Sequence, residues 1–177
     1  YEKPEHIWSA GGVIKYHQNV AAMRGYRQQD QGQFQVCEDV DYLPGCAMLI
    51  NSQVVKEVGY LDEIFSPVYF EDLDWCLRAQ SAGYRILYEP KAEILHKVSM
   101  KDEYNPTQRY LFSYNSVIFM KRYANTRGWI KFIFLAIFSL PFVFILRSFQ
   151  GEGKLVIARG VGILDALLNG KRKESFN

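Results

Sequence analysis

The stretch Phe65-Ser66-Pro67-Val68-Tyr69-Phe70-Glu71-Asp72-Leu73-Asp74-Trp75-Cys76-Leu77-Arg78 sets three carboxylates within four positions, where a loop turns into a helix. Acidic residues favour the first turn of a helix because its unpaired N–H groups carry partial positive charge. The helix is predicted to start near Glu71 and to end at Gly83. On it, Glu71, Asp74 and Arg78 share one face through steps of three and four, so Asp74 and Arg78 can pair. Asp72 is rotated about 100° from Glu71 and aims elsewhere. Such a cluster can divide its work, one carboxylate facing a substrate while its neighbours fix the loop. The plainer reading is that all three stabilise the helix start, by roughly 0.3–1 kcal/mol each. Tyr69, Phe70 and Trp75 suit a sugar-binding surface as well as ordinary core.

Upstream, residues 8–16 combine a glycine pair with a β-prone run and predict a strand after a turn. Residues 18–33 are polar and aperiodic and read as a loop. Leu43-Pro44-Gly45 followed by the apolar run Cys46–Ile50 predicts a buried strand. Asn51 or Ser52 can cap a helix over Gln53–Val58, with Gly59 as its stop. Downstream, Tyr84–Tyr88 and Ala92–His96 are β-prone. From Thr107 a helical period takes over through Tyr110, Tyr114, Val117, Ile118 and Lys121.

Phe132–Leu146 carries no charge and is flanked by Lys131 and Arg147. Fifteen helical residues reach roughly 22 Å, short of a hydrocarbon core of about 30 Å, and Pro141 interrupts the run. That length fits a helix lying in or dipping into a membrane interface better than a full span; a buried core helix is the alternative. Lys154, Arg159, Lys171, Arg172 and Lys173 near it suit an anionic lipid surface.

The 177 residues are 49% hydrophobic and 23% charged, a folded rather than a disordered composition. A net charge of +2 makes no case for nucleic acid. Cys37, Cys46 and Cys76 form no CxxC pattern, which suits a reducing compartment and gives no disulfide or zinc framework. The chain opens at Tyr1 without a signal peptide and reads as a fragment.

The ordered series Gly45–Ile50, Val58–Glu63, Phe70–Ala79, Ala82-Gly83-Tyr84, Pro90 and His96-Lys97 resembles family 2 glycosyltransferases, in particular their rhamnosyltransferase-like, polysaccharide-assembling branch. Ile7–Gly12 and Asp30–Gln33 fit the same branch, so the likeness runs over about residues 5–125. It implies an α/β fold, with residues 1–125 as the C-terminal, acceptor-side part of a GT-A Rossmann-like domain; beyond them the apolar and basic pattern predicts C-terminal helices over 126–177 as an amphipathic, membrane-associated tail. It also implies transfer, with inversion, of a sugar from a nucleotide-diphosphate donor to a glycan or lipid-linked acceptor at the cytoplasmic face of the cell membrane. Asp72 maps to the catalytic base. Glu71, Asp74, Trp75, Arg78 and Gly45 map to the substrate side, and His96 to a ligand of one Mg²⁺ or Mn²⁺ held mostly by an upstream half.

Two decoys complicate the metal. Asp39-Val40-Asp41 and Asp72-Leu73-Asp74 both spell Asp-x-Asp, but neither occupies the place of the family's nucleotide-side motif, which precedes the segment matching Trp8. That motif is expected upstream of Tyr1, leaving the chain alone inactive. Around Tyr114-Asn115 many relatives carry Arg before the Asn, and Tyr here argues against a phosphate contact at that helix. The competing reading is a non-catalytic, membrane-associated interaction module with a structural carboxylate cluster.

Overall fold

The structure, a computed structural model, describes residues 5–16, 20–97, 105–149, 151–168 and 172–173; Lys171 of the sequence reading lies outside them. The described residues fall into two compact units. One takes 5–14, 21–64 and 71–97; the other takes 15–16, 20, 65–70 and everything from 105 onward.

In the first unit, β1 (Gly12–Ile14) pairs antiparallel with β2 (Ala21–Met23), Gly12 opposite Met23. Gly12 also bridges to Tyr42, and a Cβ at position 12 would fall 2.0 Å from the Tyr42 ring. Only glycine allows that approach. β3 (Glu38–Asp39) pairs antiparallel with β4 (Leu87–Tyr88). These two pairs are the β-structure among the described residues, and no parallel pair of the Rossmann-like kind is among them. β2 falls where the polarity of residues 18–33 indicates a loop.

α1 (Ser52–Val58) begins as its sequence requires: Asn51 Oδ1 accepts from the Gln53 amide at 2.8 Å. Gly59, at φ 86°, ends it and returns its N–H to Val55 O. α2 (Glu71–Ser81) stops before Gly83, at φ 91°. Its inward face supplies Leu73, Trp75, Cys76 and Ala79 to a core shared with Ala10, Val40, Tyr42 and Ile86.

Two expected strands are absent. Residues 45–47 form a single 3-10 turn, Leu49 is 99% exposed, and residues 92–96 pair with nothing as strand. An apolar run states which side chains avoid water; a strand also needs a neighbour for its N–H and C=O groups, which the run itself does not specify.

The second unit is helical. α3 (Pro106–Tyr123) starts on a full capping box, with Asn105 Oδ1 accepting from the Gln108 amide at 2.8 Å and Gln108 Oε1 from the Asn105 amide at 3.0 Å. α4 (Thr126–Ser148) and α5 (Gly153–Leu167) follow, and α5 packs along α3 and α4. The contact is tight at Gly162, where a Cβ would lie 2.5 Å from Tyr110 O. α4 runs 23 residues, about 34 Å, straight through Pro141, so the proline does not divide it.

α4 is apolar around most of its circumference rather than amphipathic. Phe132 and Ala136 are buried, while Ile130, Phe134, Ile137, Phe138, Phe142 and Ile145 are exposed. Only 11% of its most apolar window is buried, so α4 packs little against the other described residues. By length and composition Thr126–Leu146 suffices to cross a membrane.

Candidate active site

The approach to α2 is strained. Tyr69 and Phe70 both hold φ 77°, a region that side chains with a Cβ rarely occupy. Asn115 of α3 is fully buried and holds this turn from inside, its Nδ2 lying 2.9 Å from Phe65 O, 2.9 Å from Val68 O and 3.1 Å from Tyr69 O. Phe70 is buried against Phe112 and Phe119. Packing and hydrogen bonds of this kind sustain a strained backbone, and such strain is concentrated at functional sites. The sequence reading missed the part played by Asn115, and its one signal was a polar residue within an apolar helical face.

Immediately after that turn, Asp72 is half-buried at the start of α2. Its Oδ2 accepts from the Gly45 amide at 3.1 Å and its Oδ1 from the Leu73 amide at 2.9 Å. No cation pairs with it among the described residues. Burial raises its pKa above the ordinary aspartate value; the amides of Gly45 and Leu73 oppose this without overcoming it. The carboxylate is thus a better proton acceptor than an aspartate in water. Its surroundings are Tyr42, Cys46 and Cys76. Burial, followed by the Asp72 charge, raises the Tyr42 hydroxyl, and burial pushes the Cys76 thiol up to about 11. All three stay neutral.

Glu71 is half-buried too, and its pKa is raised by burial and further by Asp72. Its Oε2 is shielded from solvent without a hydrogen-bond partner. Gly45 lends its amide to Asp72, and the residues of its turn, Pro44, Cys46 and Ala47, line an open groove of about 750 Å³.

The remaining substrate-side candidates make contacts within the protein. Asp74 is fully buried and accepts from Arg78 Nε at 2.8 Å. Arg78 also donates from Nη1 to Val58 O and from Nη2 to Tyr60 O, each at 2.7 Å. Trp75 is buried, with its indole Nε1 donating to Gly59 O at 2.9 Å. Arg78 and Trp75 thereby satisfy carbonyls that α1 and its exit loop leave open. Asp74 and Trp75 offer no face to a ligand, and the guanidinium of Arg78 is taken up by three acceptors.

His96 ends no strand. It lines the groove with its ring edge-on to Trp8, centroids 4.3 Å apart. Its Nδ1 is buried without a hydrogen-bond partner, which suits a metal ligand, but no group of three metal-binding side chains occurs among the described residues. Among the described residues, His96 is thus a candidate single ligand rather than part of a complete divalent-ion site. Asp39 is tied to Arg85 by two hydrogen bonds, and Asp41 Oδ2 accepts from the Ile14 amide, so that Asp-x-Asp string is structural.

With this geometry in place, comparison with known proteins is informative. The family model described as "Glycosyl transferase family group 2" matches residues 15–162. A pre-mycofactocin glycosyltransferase of Mycobacterium tuberculosis is 39% identical over 57 residues, 32% of this chain and 12% of that protein. The uncharacterized protein y4gI of Sinorhizobium fredii is 35% identical over 77 residues, 42% of this chain and 8% of that protein. The chain therefore spans only a small part of the curated relatives it matches. No solved structure matches it.

Proposed function

The chain belongs to glycosyl transferase family group 2, and from that membership we propose that it is the acceptor-side part of an inverting enzyme that moves a sugar from a nucleotide-diphosphate donor to a glycan or lipid-linked acceptor. The observation that carries this reading is the state of Asp72: half-buried, unpaired by any cation among the described residues, and raised in proton affinity at the exit of a strained turn. In the proposed step an acceptor hydroxyl attacks the anomeric carbon. Its proton passes to the Asp72 carboxylate as the new carbon–oxygen bond forms, and the nucleoside diphosphate leaves with the electron pair of the bond that breaks. Glu71, whose carboxyl is likewise raised by burial, stands beside Asp72 on the substrate side.

His96 is the proposed contribution of this chain to a divalent-ion site for Mg²⁺ or Mn²⁺. The ion would supply Lewis-acid stabilisation of the departing diphosphate, with its remaining ligands and the donor site in an upstream half. On this reading the enzyme belongs to the rhamnosyltransferase-like branch of polysaccharide assembly, and the present chain alone is inactive. α4, apolar on nearly every side, would hold it at the cytoplasmic face of the cell membrane, close to a lipid-linked acceptor.

The non-catalytic alternative draws on Asp74, Trp75 and Arg78, whose roles are structural. It leaves unexplained why Asp72 is kept half-buried without a countercharge. In the full-length enzyme, Asp72→Asn should lower kcat by about 10²–10⁴-fold while the donor Kd stays unchanged. Near-normal turnover would take Asp72 out of the reaction and leave the alternative standing.

A further inference from the structure

Asn115, which holds the strained turn before α2 through its Nδ2, is itself held on its other side. Its Oδ1 accepts from Nη1 of Arg172 at 3.5 Å, and the Arg172 guanidinium lies over the Tyr114 ring, 5.9 Å from the centroid. Arg172 follows α5 and is half-buried. The next residue fixes its place. The Lys173 amide donates to the Tyr110 hydroxyl at 3.0 Å, that hydroxyl donates to Asp165 Oδ2 at 3.0 Å, and Lys173 Nζ lies 3.7 Å from the same oxygen. Residues 172–173 are thereby tied to α3 at Tyr110, Tyr114 and Asn115 and to α5 at Asp165. The sequence pattern groups Arg172 with a lipid surface, whereas its contacts here lie inside the helical unit.

We propose that Arg172 is a positioning residue for sugar transfer: by fixing the Asn115 carboxamide it fixes the turn that delivers Asp72. A carboxamide has an oxygen at one end and an NH2 group of similar size at the other. Turned over, Asn115 would set its oxygen against the carbonyl oxygens of Phe65, Val68 and Tyr69. A cation on the oxygen side favours the orientation that donates to all three. At 3.5 Å the hydrogen bond is long, so the charge of Arg172 counts for more than a directed bond. In a buried site that charge also polarises the amide and strengthens its N–H donors. The φ of 77° at Tyr69 and Phe70 persists only while the surroundings hold it, and Asn115 is the polar part of those surroundings. The proposal rests on the reading of Asp72 as the base and extends its support to a residue exactly 100 positions along the chain.

The test uses the full-length enzyme as wild type, Arg172→Gln and Arg172→Lys, with two readouts. The first is limited digestion with chymotrypsin, which cuts after aromatic residues, the sites being identified by mass spectrometry. In Arg172→Gln the cuts after Tyr69 and Phe70 should come roughly tenfold faster, while the cut after Phe119, fully buried in α3, keeps its wild-type rate. The second is steady-state kinetics. In Arg172→Gln, kcat should fall about 10- to 100-fold with the donor KM unchanged. Arg172→Lys, which keeps a cation near the amide oxygen, should recover most of both effects. If Arg172→Gln does not fold, Tyr110→Phe, which releases the Lys173 amide, serves the same comparison. Unchanged cutting at the turn, an equal rise at Phe119, or a lysine variant no better than glutamine overturns the proposal whatever Asp72 does. Faster cutting at the turn alone with wild-type kcat overturns the role in transfer through the reading of Asp72, since the turn would then be held by Arg172 without serving the reaction.

Discussion

At Asp72, burial strengthens proton binding while the backbone amides of Gly45, Leu73 and Asp72 itself weaken it, and burial prevails. A carboxyl whose folded pKa is raised contributes stability that is complete below its unfolded pKa and is lost as pH rises through the folded pKa. Asp72→Asn removes that loss. The Tm of the variant minus that of the wild type should therefore grow as pH rises above 3.8, the ordinary aspartate value; a difference that does not change with pH would contradict the raised pKa. Arg78→Ala removes the guanidinium that donates to the fully buried Asp74 carboxylate and to the Val58 and Tyr60 carbonyls, and should cost about 3–5 kcal/mol in urea unfolding, whereas a loss below about 1 kcal/mol would mean the pair is not buried as described. The Asp74–Arg78 pair was legible from its spacing of four. The burial of Trp75 was not, because its partner Gly59 lies sixteen residues away. Asn115 reaches carbonyls 46 to 50 residues back, which no local pattern encodes.

Elements whose ends are written in nearby residues were the most readable. Asn51, Gly59 and Gly83 fix α1 and α2 through local hydrogen bonds and positive φ, and each reads as it folds. The segments at 46–50 and 92–96 failed for a physical reason: their neighbours in a sheet are not given by their own composition. Helix packing also depends on distant residues. Gly162→Val should force α5 off α3, since even a Cβ would sit 2.5 Å from Tyr110 O. A loss of about 1–3 kcal/mol in thermal or urea unfolding is expected, and an unchanged midpoint would refute the close contact. For α4 the question is its solvent. Phe134 and Phe138 lie with tilted rings, centroids 4.4 Å apart, and are both exposed. Replacing both with Asp should move the chain from the vesicle-bound to the free fraction in flotation; undiminished binding would remove α4 as the anchor.

For the molecule as a whole, the family was legible because its motifs run in order along the chain, and the matched region, 15–162, covers most of it. The architecture was less so. Mixed helix and strand is present, but among the described residues the strands pair only antiparallel and are two or three residues long. The chain spans only a small part of the curated relatives it matches, and the proposed reaction places the donor site outside these residues, so transfer is to be measured on the full-length enzyme. The most direct measurement is the pH dependence of kcat/KM for that enzyme and for its Asp72→Asn variant. The wild type should lose activity on the acid side along a limb displaced upward from the ordinary aspartate range, and the variant should show a low residual rate without that limb. The same acid limb in the variant, at a rate near that of the wild type, would contradict Asp72 as the base.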